Sequence, residues 1–279
     1  MLPVNLALVS EVPDHDSGDV SRVAAALQRQ ATRDFGPLWN VQATVDAFPR
    51  LEDVPVGYWP MIVANDIERP EAAGVHEDEN GQPFALVEMS DSWSLTASHE
   101  MLEMLCDPFG KRIIPGESPK RGQGRVEFLV EVCDPCEASK FAYRVNDILV
   151  SDFYTPRYFD PVASEGTRYS FTGALTGPRQ VLPGGYLSWH DPVSDHWWQQ
   201  VFFDSTSKFR DLNVRDSNAT SLRAWIDGQT DHPGIDRGLK KSDKALRAAV
   251  VAGRQTEKSA SLKAAAWRKQ VKALKRAKK

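Results

Sequence analysis

Three ionisable residues with the spacing of a metal site lie in one short stretch of the chain, His99-Glu100-x-x-Glu103. Residues four apart on a helix lie about 6 Å apart along its axis and nearly on one face, so His99 and Glu103 could bind one ion at about 2.0–2.2 Å. Glu100 would point to the side of that ion, where it could accept a proton from water. The spacing is that of the HExxH zinc motif with a carboxylate in place of the second histidine.

The residues around this motif, 92–107, predict a helix that is mostly buried. At about 100° per residue, Glu103, Asp107 and Glu100 fall within about 100° of His99. The apolar residues cover an arc about twice as wide as a surface helix needs, and they are Met101, Leu102, Met104, Leu105 and Cys106. The polar stripe should therefore face a cleft, where carboxylates this close need a cation. The alternative is an amphipathic helix whose acidic face is simply solvated.

A third ligand is expected from one of three carboxylates near turns. Pro108 disfavours helical geometry at Asp107, and Gly110 allows the chain to turn back towards the site. Glu131 and Asp134 lie where a predicted strand, residues 125–133, ends at a proline. On strict alternation they point to opposite faces, so only one should reach the ion unless the strand ends early. Glu131 is favoured, with Asp134 and Asp107 behind it; an exposed strand carboxylate and turn-forming Asp-Pro pairs are the alternatives.

Hydrophobic periodicity before the motif predicts strands at residues 5–12, 41–48, 58–67 and 84–90, with one helix from about residue 17 to 33. Asp78-Glu-Asn80-Gly81 predicts a tight turn before the last of these strands. The order is β-α-β-β-β-α with the metal helix last, an α+β fold.

This order resembles the core of the zincin metallopeptidases, in which an edge strand above the active-site helix holds substrate by strand addition. Residues 84–90 would be that edge strand. The pattern HExxExxxDP followed by ExxDxC, here His99 to Pro108 and Glu131 to Cys136, is similar to that of a zincin-like group that includes exordium-like proteins and uncharacterised bacterial and phage proteins. The resemblance covers roughly residues 55–160 and implies a fold and a Zn²⁺ or other divalent site more than a substrate.

After the helix, residues 111–124 predict a loop that covers or borders the site, and residues 141–153 a hairpin that turns near Asn146-Asp147. Residues 154–203 are rich in Pro, Gly and aromatic residues and predict an irregular part. His76, His190 and His196 are lesser candidates for the site, since a histidine among tryptophans is usually a packed, hydrogen-bonded residue.

The composition, with 279 residues, 41% hydrophobic and 26% charged, predicts a globular chain. No segment has the roughly 18 continuous apolar residues of a membrane span, and the N-terminus lacks the pattern of a signal peptide, so a cytoplasmic location or one inside a virion or other assembly is expected. Three cysteines suit a reducing compartment. Cys133-x-x-Cys136 lacks the second pair that a structural zinc site would need.

Charge divides the chain into an acidic body and a basic tail, predicted as domains 1–238 and 239–279. Residues 240–279 hold fourteen Lys and Arg against two acidic residues, a net charge of +12 that leaves −16 for the rest of a chain of net charge −4. The Ala/Lys-rich tail predicts a long solvated helix that could bind a polyanion, such as nucleic acid, or an acidic protein surface. A solubilising or disordered tail is the alternative.

Two functions follow from these residues. The first is a metal-dependent hydrolase, acting on a peptide or protein, in which His99, Glu103 and a third carboxylate bind the ion and Glu100 is the general base. The second is a catalytically silent zincin-like module of a phage particle or other assembly, docked by its basic tail.

Overall fold

The computed structural model describes residues 3–69, 72–216 and 221–230, and in these residues the fold is α+β with two five-stranded sheets. The strands of the first sheet are β1 (Val4–Ser10), β2 (Ala43–Phe48), β3 (Trp59–Ala64), β4 (Gly74–Glu79) and β5 (Gln82–Glu88). Their order is β2-β1-β3-β5-β4, and neighbours are parallel except that β4 runs antiparallel to β5.

The helices are α1 (Ser17–Arg29), α2 (Gly36–Trp39), α3 (Trp93–Cys106) and α4 (Leu222–Asp227), and a π-helical turn, Gln30–Phe35, joins α1 to α2. Asp16 caps α1 by accepting a hydrogen bond from the backbone N–H of Gly18. α1 packs on β1 and β2, whereas α3 packs on β4 and β5 and contacts α1. The order β-α-β-β-β-α predicted from the sequence thus lacks one strand, β4.

The hairpin formed by β4 and β5 shows that the predicted edge strand, residues 84–90, does not lie at the edge of the sheet. Asn80 and Gly81 have positive φ angles of 51° and 77°, as in the tight turns that join antiparallel strands, so the predicted turn is confirmed. Residues before it, however, form β4 rather than a loop, and Val75 and His76 are buried. β5 therefore lies between β3 and β4, and β4 is the edge strand on the side of the sheet away from β2.

The second sheet has the order β12-β11-β10-β7-β6, with all neighbours antiparallel. Its strands are β6 (Ile113–Glu117), β7 (Arg125–Leu129), β10 (Tyr186–Asp191), β11 (His196–Val201) and β12 (Lys208–Asn213); β8 (Tyr143–Val145) and β9 (Ile148–Val150) form a separate hairpin. The predicted loop at 111–124 therefore contains one strand, β6, and its remaining residues lie outside regular strands. The Pro/Gly/aromatic region contains regular strands, because Trp189 and Trp197 supply buried strand positions.

The boundary at residue 238 and the basic tail, 239–279, lie outside the described residues. Among the helices that the structure does describe, none is both long and apolar enough to cross a bilayer.

Candidate metal centre

α3 is almost entirely buried, as its wide apolar arc predicts. Met101, Leu102 and Met104 are fully buried, and they pack into the main hydrophobic core together with strands of the first sheet. Glu100 and Glu103 are also buried, at 4% and 0% exposure, whereas the side chain of His99 keeps 14%. The polar stripe of α3 therefore lines an internal cleft rather than an open surface.

A buried hydrogen-bond triangle fixes the face of α3 beside His99. Ser98 Oγ donates to Gln30 Oε1 over 2.8 Å and accepts from the backbone N–H of Ser151 over 2.9 Å. Gln30 Nε2 in turn donates to the carbonyl oxygen of Ser151 over 3.0 Å. Because every partner is buried, this triangle fixes the rotation of α3 against the π-helical turn after α1 and against the residue that follows β9.

Asp107 ends α3 and uses its carboxylate for the turn that follows. Its Oδ2 accepts a hydrogen bond of 2.6 Å from the backbone N–H of Arg112, whose Nη1 donates to the carbonyl oxygen of Cys106. Gly110 makes the return turn with φ of 56°. The structure thus confirms the sharp end at Pro108, but it directs the Asp107 carboxylate to Arg112 rather than to His99.

Glu131 and Asp134 both approach Glu103, because β7 ends at Leu129, earlier than residue 133 as predicted from the sequence. The chain then leaves the strand, and Asp134–Cys136 form a 3₁₀ turn. Gly185 packs against this turn: a Cβ there would lie 2.4 Å from the carbonyl oxygen of Asp134. Strict alternation therefore does not apply, and one ligand atom from each of Glu103, Glu131 and Asp134 falls within 4.8 Å of the others.

His99 lies between two carboxylates. Its Nε2 is 3.2 Å from Glu103 Oε1 and 3.2 Å from Asp134 Oδ1. Glu103 Oε1 also accepts a hydrogen bond of 3.2 Å from the backbone N–H of Cys133, which fixes that carboxylate. Donor atoms at about 2.0–2.2 Å around a tetrahedral ion lie roughly 3.4 Å apart, so each of the two separations from His99 Nε2 is close to the distance between two ligands of one ion.

The pKa shifts in this trio follow from burial and charge. Burial would lower the pKa of His99, but Glu103 and Asp134 hold that pKa well above its ordinary value. Burial would raise the pKa of Glu103, yet the charges of His99 and Arg223 hold it well below its ordinary range. Burial and the neighbouring Glu103 raise the pKa of Asp134. Asp134 therefore holds a proton more readily than an exposed aspartate does, and a nearby cation would favour its ionised form.

Arg223 on α4 is only 5% exposed, and its guanidinium lies among the same carboxylates. Nη1 lies 2.8 Å from Glu103 Oε2 and contacts Glu131 Oε2, and Nε lies 3.4 Å from Asp227 Oδ2. Glu131, favoured from the sequence as the third ligand, is thus ion-paired with Arg223. Asp134 is the carboxylate beside His99.

His76, a lesser candidate from the sequence, is a second residue that lies in the site beside the carboxylates of α3. Its ring is 1% exposed; Nε2 is 3.1 Å from the carbonyl oxygen of Asp107, and Nδ1 is 3.4 Å from Glu100 Oε2. Alternation through Val75 and His76 after Gly74 could have signalled a strand, but the acidic residues that follow favoured a loop. Arg223 has no comparable local signal, since only tertiary contacts distinguish it from a surface arginine.

The other candidate histidines lie on the second sheet with partners of their own. His190 Nδ1 is 3.0 Å from Glu127 Oε2 and its Nε2 is 2.9 Å from Asp195 Oδ1. His196 Nδ1 is 3.0 Å from Asp211. Neither belongs to the possible ligand groups found among the described residues. Cys133 does belong to one, with His99 and Glu103, but burial raises the pKa of its thiol well above the ordinary value, so it is a poor thiolate donor.

A cleft of about 580 Å³ opens beside the trio. α3 and β4 form one wall, and the turn after Asp134 and α4 contribute to the other. Gly74 brings β4 onto α3, because a Cβ there would lie 2.6 Å from Thr96 and 2.8 Å from Glu100 Oε1. On its outer side, β4 pairs with no other strand in the described part of the chain. The cleft thus has a metal-type donor set at its base and an open strand edge at its side.

The donor set fits a divalent ion. In the part of the chain that the structure describes, neither Oδ2 of Asp134 nor Oε1 of Glu131 has a hydrogen-bond partner, although both atoms are buried. The carboxylates of the cluster belong to Glu100, Glu103, Glu131, Asp134, Glu137 and Asp227. Unpaired carboxylate oxygens at this depth are costly, and a divalent ion would satisfy them.

No family model matches the chain, and no significant match is found among curated proteins or solved structures.

Proposed function

We propose that this chain is a divalent-metal-dependent hydrolase, a peptidase of zincin type. The observation that carries the proposal is that His99 Nε2 lies 3.2 Å from Glu103 Oε1 and 3.2 Å from Asp134 Oδ1. Glu100, the candidate base, follows His99 directly on the same helix. Asp134 takes the place of Glu131 as the third ligand, because Glu131 is paired with Arg223.

In this proposal His99, Glu103 and Asp134 would hold the ion, which would supply Lewis acidity towards the scissile carbonyl. Glu100 accepts the proton of the attacking water and later returns it to the leaving amine. Its Oε2 is suited to this role: it is buried, and among the described residues no group donates a hydrogen bond to it. The single histidine and two carboxylates make the ion less electrophilic than a two-histidine set would, and less selective for zinc over harder divalent ions.

The edge strand β4 supports a peptide as the substrate. An extended chain could add to its outer edge by main-chain hydrogen bonds, as the resemblance to zincins implies, and would then pass over the cleft that Gly74 and Glu100 line. Specificity would come from alternate side chains of the substrate, since every second one would face the cleft.

Metal analysis of the purified protein beside a generic peptidase assay tests the proposal. We expect bound divalent metal and peptide hydrolysis in the wild type, and loss of both in His99→Ala. Equal, near-zero metal in both proteins would overturn the site. Metal without turnover would instead favour the silent zincin-like module of an assembly.

A further inference from the structure

The guanidinium of Arg223 lies where a cation would be expected to sit. It is buried among Glu103, Glu131 and Asp227, and its Nη2 lies 3.9 Å from Glu100 Oε2. A charge this deep in a protein is stable only when it is paired. Gly110 provides the space for it, because a Cβ at that position would lie 2.9 Å from the Cβ of Arg223.

His76 faces the same carboxylates with an unused lone pair. The carbonyl oxygen of Asp107 can only accept, so Nε2 of the neutral ring carries the proton and Nδ1 carries the lone pair. Nδ1 lies 3.4 Å from Glu100 Oε2 and 3.8 Å from Glu103 Oε2, and no donor within the described residues satisfies it. A histidine held by a carbonyl on one nitrogen, with the other aimed at carboxylates, has the arrangement of a metal ligand.

We infer a second cation position formed by His76, Glu100 and Glu103. In the native chain the guanidinium of Arg223 supplies the positive charge that this position needs, so the chain binds one divalent ion rather than two. The inference builds on the proposed function and states how many ions the cluster holds. Glu103 serves both positions: Oε1 lies beside His99, and Oε2 contacts Arg223.

A second ion and the guanidinium exclude each other on electrostatic grounds. Both would use Glu103 Oε2, and a divalent ion would bind that oxygen at about 2.0–2.2 Å. Two cations that share one oxygen repel strongly in a buried site, where water screens little. Removing the guanidinium should therefore convert the position into an ion site, since it leaves buried carboxylates and the lone pair of His76 without a cation.

The test is the number of Mn²⁺ or Zn²⁺ ions bound per full-length chain, measured by equilibrium dialysis with elemental analysis. Wild type should bind one ion, Arg223→Met two, and the matched control Arg223→Lys one, because Lys keeps the charge. The double variant Arg223→Met/His76→Ala should return to one. The same number of ions in Arg223→Met as in wild type, or two in wild type, overturns the inference.

These outcomes separate the inference from the proposed function. If wild type binds no ion but Arg223→Met binds one, the His99 site fails while the role of Arg223 stands. Thermal unfolding with increasing Mn²⁺ covers a variant that folds poorly: Arg223→Met and Arg223→Gln should both be stabilised by the ion more strongly than wild type. Failure of both variants to fold at every ion concentration would overturn the inference, because the ion could then not replace the guanidinium.

Discussion

Oδ1 of Asp134 lies 3.2 Å from Nε2 of His99, whereas the carboxylate of Glu131 is held by Arg223. The two carboxylates are three residues apart and both are buried, yet they have different partners. The difference arises because the chain leaves β7 at Leu129 and tightens into a 3₁₀ turn at Asp134.

We therefore expect Asp134→Asn to weaken divalent-ion binding at least about tenfold. Loss of a group that only hydrogen-bonds to a metal ligand already lowers metal affinity by about that factor. Glu131→Gln should keep most of the affinity. Isothermal titration of the metal-free proteins with Zn²⁺ measures both. A larger loss in Glu131→Gln than in Asp134→Asn would return Glu131 to the ligand set.

Glu100→Gln should separate catalysis from metal binding. The amide fills the same space but accepts no proton, so turnover should fall at least about 100-fold while bound metal stays equal to that of wild type. Glu103→Ala is the contrasting variant, because it should lose the metal itself. Activity that persists in Glu100→Gln would place the base elsewhere.

Ser98→Ala should destabilise the protein by about 1–3 kcal/mol, because it leaves the backbone N–H of Ser151 and Oε1 of Gln30 without their buried partner. Ser94→Ala is the matched control on the same helix: its hydroxyl donates only to the carbonyl oxygen of Leu149 at a half-buried position, so about 1 kcal/mol or less is expected. Urea unfolding followed by circular dichroism gives both values. Equal effects would mean that the triangle does not fix α3.

Sequence reasoning found the elements whose signal is local. The wide apolar arc predicts α3, and Asn80-Gly81 predicts the hairpin turn, since both depend on residues within one or two turns of the chain. It missed β4, because the alternation begun by Val75 and His76 ends in acidic residues that resemble a loop.

The site was only partly predictable for the same reason. His99, Glu100 and Glu103 share a helix, so their proximity follows from spacing alone. The contact of Arg223 with Glu103 depends on how distant parts of the chain pack. The pairing of β7 with β10 is equally non-local, which is why the sequence predicts an irregular region at residues 154–203, where the structure has β10 and β11.

The two ion pairs of His190, with Glu127 and with Asp195, predict that the free energy of unfolding depends on pH. Burial alone would lower the pKa of His190, but the hydrogen bonds to the two carboxylates raise it above its ordinary value. A group with a raised pKa in the folded state stabilises fully below the unfolded pKa of about 6.5 and loses that effect as the pH rises through the folded pKa.

Wild type should therefore have a higher unfolding free energy than His190→Gln, and the difference should be larger at pH 6 than at pH 9. The change between the two pH values should be at most about 1 kcal/mol, because the ion pairs of His190 are partly exposed. Urea unfolding at the two pH values measures the difference. The variant Glu127→Gln should reduce the pH dependence; an unchanged dependence would assign it to other groups.

The charge division of the sequence predicts a salt-sensitive association of the tail. A chain ended after Gly238 should keep its fold and lose binding to anionic partners, because the fourteen cationic residues after it act through screened electrostatics and counterion release. Binding of the full and shortened proteins to DNA and to anionic vesicles at low and moderate salt tests this. Identical binding, or unfolding of the shortened protein, would contradict a separable tail.

The position of Arg223 also bears on how the protein is made. α3 and the turn at Asp134 leave the ribosome long before α4 does, and domains begin to fold during synthesis. Until Arg223 arrives, Glu103 and Glu131 lack the cation that pairs with them in the finished protein. A nascent chain would therefore acquire its final cluster only in the last stage of translation, and premature termination before α4 should yield a protein that needs added divalent ions to fold.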